Sequence, residues 1–427
     1  MPRVTSTLAV CLIVLLSIAI ACGSDDDPVG PEPPKETTAP GDVTDLSVAA
    51  TTDTAATLTW TAPGDDGMTG RAAQYDIRYS SSVIDDANFS AATPVSSVPP
   101  PDTAGTTETF TVTGLLGNYT WHFAVKTGDE VPNWSGLSNV PNMVTPARVV
   151  TTWGTQGTGP GQFANVRGVA VDPLTGDVFV VDSNPNNRIQ KFDATGAYLG
   201  EWGSTGTGND EFDSPWGIAL DPYGNVYVAD TGNHRVKNSD RNGLTLTIWG
   251  SRGSGDGQFE YPRSVASDGN FNVYVADMSN QRIQKFDSAG RFLTKWGSLG
   301  SGDGQFMGPA GVAADGSNVY VCEVNGHRVQ RFDTNGNFIT KWGSEGSNNG
   351  QFNRPWGLAV DSNGDVYVAD NINGRIQKFD PMGTFISKWD LSSVGQFEIA
   401  NPQDIAVAPD GNMYVTELSR FRIVKFR

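Results

Sequence analysis

The chain has 427 residues, 38% of them hydrophobic, and a formal net charge of −18. The acidity lies at the N-terminal end: residues 1–147 hold 5 basic and 17 acidic side chains, whereas residues 148–427 hold 24 and 30. A chain without a basic surface gains no free energy from displacing phosphate counterions, which argues against nucleic acid as a partner. Three cysteines provide no disulfide framework, so stability must come from packed cores and paired strands.

The first residues of the chain have the pattern of an export signal. Arg3 precedes the apolar run Leu8–Leu16, which is too short to span a bilayer of about 30 Å. Small residues then lead to Cys22, an ending that resembles the lipobox of bacterial lipoproteins. The resemblance implies removal of residues 1–21, lipidation of Cys22 and stable anchoring in a membrane; the alternative is an ordinary signal peptide with an incidental cysteine. We expect an exported lipoprotein of the cell envelope, at the outer membrane or cell surface if the cell has two membranes.

Two segments separate this signal from the C-terminal part of the chain. Residues 22–40 contain five prolines and three consecutive aspartates but almost no apolar side chains, which predicts a disordered tether. Residues 41–147 alternate short strand patterns, as in a seven-stranded sandwich. The motifs Leu58–Trp60 and Tyr75–Ser80 resemble those of a fibronectin type III domain, which implies Trp60 in the core and a role as a spacer or adhesive module.

Tryptophan recurs at a nearly fixed period through residues 148–427. The intervals between successive tryptophans are 49, 47, 47, 46 and 47 residues. Each interval holds four strand-like segments joined by turns rich in Gly, Asn and Asp, which is the pattern of a four-stranded propeller blade. The repeating tryptophans are Trp153, Trp202, Trp249, Trp296, Trp342 and Trp389.

The phase of the repeats predicts how the ring closes. Residues 149–153 have the pattern of a fourth strand, whereas residues 421–426 end the chain on a third strand. The last blade therefore lacks its outer strand unless the N-terminal end of the repeats supplies it. We predict that residues 148–154 pair beside residues 421–427.

Several motifs recur along the repeats: Gly-Gln-Phe, a Gly-Val-Ala-Val-Asp type first strand, a Tyr-Val-Ala-Asp type second strand and an Arg-Ile-Gln-Lys-Phe-Asp type third strand. These motifs resemble NHL repeats, and the resemblance implies a six-bladed β-propeller over residues 148–427. The predicted fold class is all-β, with a fibronectin type III β-sandwich at residues 41–147 followed by a six-bladed NHL-type β-propeller.

An acidic residue ends each second strand, and an arginine follows five or six residues later. Because the pair recurs in every repeat, we interpret it as a structural contact that fixes a loop rather than as a catalytic group. Representative pairs are Asp230 with Arg235, Asp277 with Arg282, and Asp370 with Arg375.

The position that starts each inner strand varies among the repeats, and its side chains should surround the mouth of the axial channel. Arginine and tryptophan at this position suit stacking on sugars or gripping anionic or carbonyl groups. The alternative is that both are ordinary framework choices there. The candidate ligand-binding residues are Arg167, Trp216, Arg263, Trp356 and Gln403, with Ala310 at the equivalent position of the fourth repeat.

The sequence predicts no catalytic residue, metal site or cofactor. Only three histidines occur, at positions 122, 234 and 327, whereas metal-assisted catalysis needs several converging ligands. We expect a monomeric, non-enzymatic scaffold that binds a protein, peptide or glycan. The alternatives are a metal-dependent lyase or hydrolase that uses the axial pocket, and a purely architectural adhesin.

Overall fold

A computed structural model describes residues 37–115, 117, 119–131, 133–145, 149–390 and 400–427. The regular elements in these ranges are β-strands, apart from the short 3-10 helices Phe89–Ala91 and Leu418–Arg420. No helix in the described part of the chain is long and apolar enough to cross a membrane. The predicted export signal and Cys22 lie outside the described residues.

Seven strands within the described part of residues 47–144 form two antiparallel sheets. In one sheet the strand order is 47–51, 55–61, 107–113, and in the other it is 93–94, 74–80, 120–128, 142–144. Alternate side chains of each sheet point into a shared core, as in a β-sandwich. The strands are β1 Ser47–Thr51, β2 Ala55–Thr61, β3 Gln74–Ser80, β4 Thr93–Pro94, β5 Thr107–Thr113, β6 Thr120–Gly128 and β7 Asn142–Val144.

Trp60 lies at the centre of the sandwich core. Its ring meets that of Tyr75 edge to face, with the centroids 5.2 Å apart. Ile77 and Phe123 from the opposite sheet are fully buried in the same cluster. Trp60 is therefore a core residue and offers no surface for a ligand.

The described part of residues 149–427 forms six four-stranded antiparallel sheets, which are the blades of a β-propeller. Each blade runs from an inner strand next to the axis to an outer strand. In that order, blade one comprises Val166–Val171, Val178–Asp182, Arg188–Phe192 and Tyr198–Trp202; blade two comprises Ile218–Leu220, Val226–Asp230, Arg235–Ser239 and Thr245–Trp249; and blade three comprises Pro262–Ser267, Val273–Asp277, Arg282–Phe286 and Phe292–Trp296. Blade four comprises Pro309–Ala314, Asn318–Glu323, Arg328–Asp333 and Phe338–Trp342; blade five comprises Pro355–Val360, Val366–Asp370, Arg375–Phe379 and Phe385–Asp390; and blade six comprises Pro402–Val407, Met413–Glu417, Arg422–Phe426 and Val149–Trp153. Between the closing strand and blade one, Thr155–Gln156 and Gln162–Phe163 form a short parallel pair.

The ring is closed by the N-terminal strand of the propeller. Val149–Trp153 pairs antiparallel with Arg422–Phe426, with Thr152 opposite Val424 and Trp153 opposite Ile423. The predicted closure is confirmed. Strands from both ends of the propeller thus share one sheet, so unfolding of either end opens the ring.

Apolar cores lie between consecutive blades rather than at the axis. Between blades three and four, Tyr274 and Ile283 pack with Val312 and Val321. The interface between blades six and one is likewise an apolar cluster, which makes the ring continuous. The repeated tryptophan lies on the outer strand and also contributes to the contact between blades. A tight turn of the next blade packs on its ring.

Gly290 illustrates this contact between turn and ring. Its φ is 78°, and a Cβ built on it would stand 2.7 Å from the ring of Trp249 in the preceding blade. Only glycine combines the left-handed conformation with so close an approach. Tryptophan and the turn glycine therefore recur with the same period because they contact each other between neighbouring blades.

Candidate functional site

The candidate residues lie where the inner strands begin, which we call the upper face of the ring. The chain reaches this face through a tight turn. In blade three the turn residue is Tyr261, which precedes Pro262 and has a φ of 54°. The Tyr261 N–H donates to Nδ1 of His234 in the preceding blade at 3.1 Å, and His327 accepts the N–H of Arg354 in the same way at 3.3 Å. These two histidines connect neighbouring blades and accept hydrogen bonds through Nδ1.

The recurring acidic residue and arginine form a buried ion pair beside this turn. Arg282 Nε lies 2.7 Å from Asp277 Oδ2, and its Nη1 and Nη2 donate to three carbonyl groups of the loop that enters the blade. Asp277 Oδ1 accepts the N–H of Glu260 at 2.8 Å. Burial raises the pKa of Asp277, although these bonds favour the carboxylate. The arrangement anchors the loop that positions the next inner strand.

The same contact occurs in all six blades of the described structure. The Nε–carboxylate distances lie between 2.5 and 3.1 Å, and each acidic side chain is fully buried. The pairs are Asp182–Arg188, Asp230–Arg235, Asp277–Arg282, Glu323–Arg328, Asp370–Arg375 and Glu417–Arg422.

Trp216 and Trp356 meet over the axis. Trp216 belongs to blade two and Trp356 to blade five, which stand opposite each other in a ring of six. Their ring centroids are 5.5 Å apart and the planes are inclined by 35°. The two indoles therefore lie across the mouth of the channel rather than only along its rim.

Two guanidinium groups stack on Trp216. The Cζ atoms of Arg167 and Arg263 each stand 3.8 Å from the centroid of its ring. Two guanidinium groups so close to one centroid would collide on the same side, so they occupy opposite faces. Gln403 Oε1 accepts a hydrogen bond of 2.6 Å from Arg167 Nη1. The structure thus brings Arg167, Trp216, Arg263, Trp356 and Gln403 into one cluster, which we call the axial cluster.

The positive charges of the axial cluster have no acidic partner among the described residues. Nε of Arg167 and Nε of Arg263 are buried and make no hydrogen bond there. Burial lowers the pKa of both guanidinium groups to about 10, and their mutual repulsion adds to the effect at Arg167. Both remain charged at neutral pH, and water solvates them poorly.

Sequence reasoning missed Asp404, which lies one residue beyond the axial cluster in blade six. Its Oδ2 accepts the N–H of Val169 at 3.2 Å, and its side chain lines an axial cavity of about 190 Å³ formed mainly by Val, Ala, Leu and Ile of the inner strands. Burial raises the pKa of this carboxyl to about 7. A signal was present, because the other five repeats have Gly or Ser at this position.

Among the described residues, no group of three or more His, Cys, Asp or Glu side chains is arranged to hold a metal ion. Cys322 is buried and free, and its Sγ lies 3.2 Å from the carbonyl oxygen of Trp356.

Comparison with protein families identifies the repeats. The NHL repeat model matches residues 212–237 and 352–379, within blades two and five, which also carry the two axial tryptophans. The chain carries NHL repeats in a β-propeller fold. No curated protein sequence matches the chain.

Several solved structures are similar to this NHL propeller at low sequence identity. A protein of unknown function from Bacteroides thetaiotaomicron has a TM-score of 0.53 and 16% identity over 91% of this chain and 99% of that one. A gluconolactonase from Xanthomonas campestris has a TM-score of 0.48 and 13% identity over 66% and 98% of the two chains. A streptogramin B lyase has a TM-score of 0.46 and 15% identity over 72% and 89%. At 16% identity, the likeness to the Bacteroides protein bears on the fold alone.

Proposed function

We propose that the protein is an exported, lipid-anchored recognition protein whose NHL propeller binds a protein, peptide or glycan at the axial cluster. In this proposal Cys22 carries the anchor, residues 22–40 form the tether, and the sandwich is a fibronectin type III domain that acts as a spacer. The propeller then presents its upper face to ligands in the envelope or outside the cell.

One observation carries the proposal: Arg167 and Arg263 are held against Trp216 with no acidic partner among the described residues. Buried cations are normally paired, because desolvation of a charge costs several kcal/mol unless hydrogen bonds or opposite charges offset it. By contrast, the buried guanidinium group of Arg282 is paired with a carboxylate and with three carbonyl groups. Unpaired cations at a concave centre are typical of a ligand site.

A binding screen tests the recognition role. The mature chain is applied to glycan and peptide arrays beside the double variant Arg263→Ala with Trp356→Ala. The matched control is Arg291→Ala, since the Arg291 side chain is 82% exposed. We expect the double variant to lose the ligands that the wild type and the control retain. Equal binding by all three proteins would refute a site at the axial cluster.

The membrane anchor needs a separate test. Cells that express the wild type or Cys22→Ala are labelled with a radioactive fatty acid, and the immunoprecipitated proteins are compared. We expect label on the wild type alone. Equal labelling of the two proteins would show that Cys22 is not the lipidated residue.

A further inference from the structure

We infer that the axial cluster binds the carboxylate of an acidic saccharide, such as a uronic acid residue. The inference rests on the proposed function and adds the chemical class of the ligand. Three features carry it: the free donors of the two arginines, the occupied faces of Trp216, and the uncharged residues that follow the second strands.

The guanidinium N–H groups that make no hydrogen bond within the described structure favour an anionic ligand. Among the described residues, Arg263 makes no hydrogen bond, and Arg167 uses only Nη1, which donates to Gln403. The planar fork of a guanidinium matches the two oxygens of a carboxylate, and such charge-assisted bonds are about twice as strong as neutral ones. Gln403 fixes one guanidinium in place, so less side-chain entropy is lost when the ligand binds.

The spacing of the two guanidinium groups suits one carboxylate. They lie on opposite faces of Trp216, so their Cζ atoms are at most twice 3.8 Å apart. A carboxylate with an N–H···O bond of about 2.8 Å on each side spans roughly 8 Å between the donor nitrogens. A single ligand carboxylate at the edge of the indole can therefore contact both arginines.

Trp216 itself cannot stack on a sugar, because both of its faces are covered. Trp356 is therefore the indole that remains for stacking on a sugar ring. Arg263 Cζ lies 5.7 Å from the centroid of Trp356, on which no second guanidinium is stacked in the described structure. An aromatic surface beside a cation accommodates a sugar ring together with the carboxylate that it carries.

One uncharged residue per blade follows the second strand on the upper face. The residue two positions beyond each second strand lies on the upper face, and four of the six are Asn or Ser. Their amide and hydroxyl groups suit sugar hydroxyls, whereas a phosphate polymer would need more lysine and arginine than the two axial cations. These residues are Asn184, Gly232, Ser279, Asn325, Ile372 and Ser419.

An array of matched saccharides tests the inference. The mature chain is offered uronic-acid oligosaccharides, the neutral oligosaccharides of the same linkage, and acidic peptides. We expect binding to the acidic saccharides only. Arg263→Ala should weaken it about 10- to 100-fold, the effect of removing hydrogen bonds to a charged group. Arg291→Ala, which removes the same charge from an exposed position, should bind like the wild type.

The repeats indicate that the Arg263→Ala variant folds. Blade four has Ala310 at the position equivalent to Arg263, and that alanine is buried in a regular inner strand. Arg263→Lys separates charge from shape, because it keeps the charge and loses the planar fork; we expect it to bind more weakly than the wild type.

The possible failures are distinguishable. Preference for neutral saccharides or for acidic peptides, with the effect of Arg263→Ala retained, would overturn the saccharide carboxylate and leave the axial binding site standing. Absence of binding to every acidic saccharide would likewise overturn it. Binding of any ligand that Arg263→Ala leaves unchanged would overturn both the inference and the proposed site.

Discussion

Trp216 and Trp356 project from opposite blades and meet across the propeller axis, with their ring centroids 5.5 Å apart. Arg167 and Arg263 cover the two faces of Trp216. The upper end of the axial channel is thus crossed by a stack of aromatic and cationic side chains, whereas the cavity beyond it is formed mainly by aliphatic residues of the inner strands. Trp216 is the central member of this stack, which sets the order of the expected mutational effects.

We expect Trp216→Ala to lower the melting temperature more than Trp356→Ala does. Trp216 contacts both guanidinium groups, and its removal leaves Arg167 without an aromatic partner and Arg263 with only the more distant Trp356 ring. For a loss of about 2 kcal/mol, the melting temperature of a domain of this size falls by roughly 4 °C. Leu299→Ala is the control, since Leu299 is 72% exposed. Differential scanning calorimetry that gave equal melting temperatures for both tryptophan variants would contradict this order.

The buried ion pair of blade three should matter far more than an exposed one. Asp277→Ala leaves Arg282 and the Glu260 N–H without their acceptor, and breaking a buried pair in this way costs about 3–5 kcal/mol. Asp256→Ala removes an exposed ion pair with Lys295 and should change the free energy of unfolding by less than about 1 kcal/mol. Denaturant titration measures both values. Equal effects would show that the recurrent pair does not anchor its loop.

Lys237 in blade two is expected to destabilise the fold below about pH 8. It occupies the place of Gln284 in blade three, and its Nζ donates to the Glu211 carbonyl group and lies 3.9 Å from the Phe212 ring centroid. Burial lowers its pKa from 10.5 to about 8. The unfolded chain therefore binds more protons between these values, so stability rises with pH across that range. Lys237→Gln should raise the melting temperature at pH 7 and flatten its rise toward pH 10; identical pH profiles would contradict the account.

Asp404 should have the opposite dependence on pH. Its pKa is raised from 3.8 to about 7 by burial, so the folded chain binds more protons than the unfolded chain between these values. Stability contributed by this group is present below about pH 4 and is lost as the pH rises through 7. Asp404→Asn should therefore melt near the wild type at pH 4 and above it at pH 8. A constant difference across this range would exclude the titration of Asp404 as the cause.

The features that the sequence could predict are those that recur in every repeat. Strand order, ring closure and the recurring ion pairs each depend on contacts that every repeat makes in the same way, so six copies reveal them. The contact between Trp216 and Trp356 depends on two repeats that differ from the rest. The repeat period does not determine how closely side chains from opposite blades approach each other across the axis. Asp404 was not predicted for a related reason. The position of Gln403 varies among the repeats, whereas the position of Asp404 is Gly or Ser in the other five repeats and carries a charge in this one alone.

The closing strand allows a covalent test of the ring. Thr152 and Val424 are directly opposite in the antiparallel pair, where Cα atoms lie about 4.5–5.5 Å apart, within the range of a disulfide. We expect Thr152→Cys with Val424→Cys to form this bond on oxidation and to raise the free energy of unfolding by about 2–4 kcal/mol. Reduction of the same protein should remove the gain, and each single cysteine variant serves as a control. A double variant that keeps both thiols free after oxidation would show that the two ends of the propeller do not pair in this register.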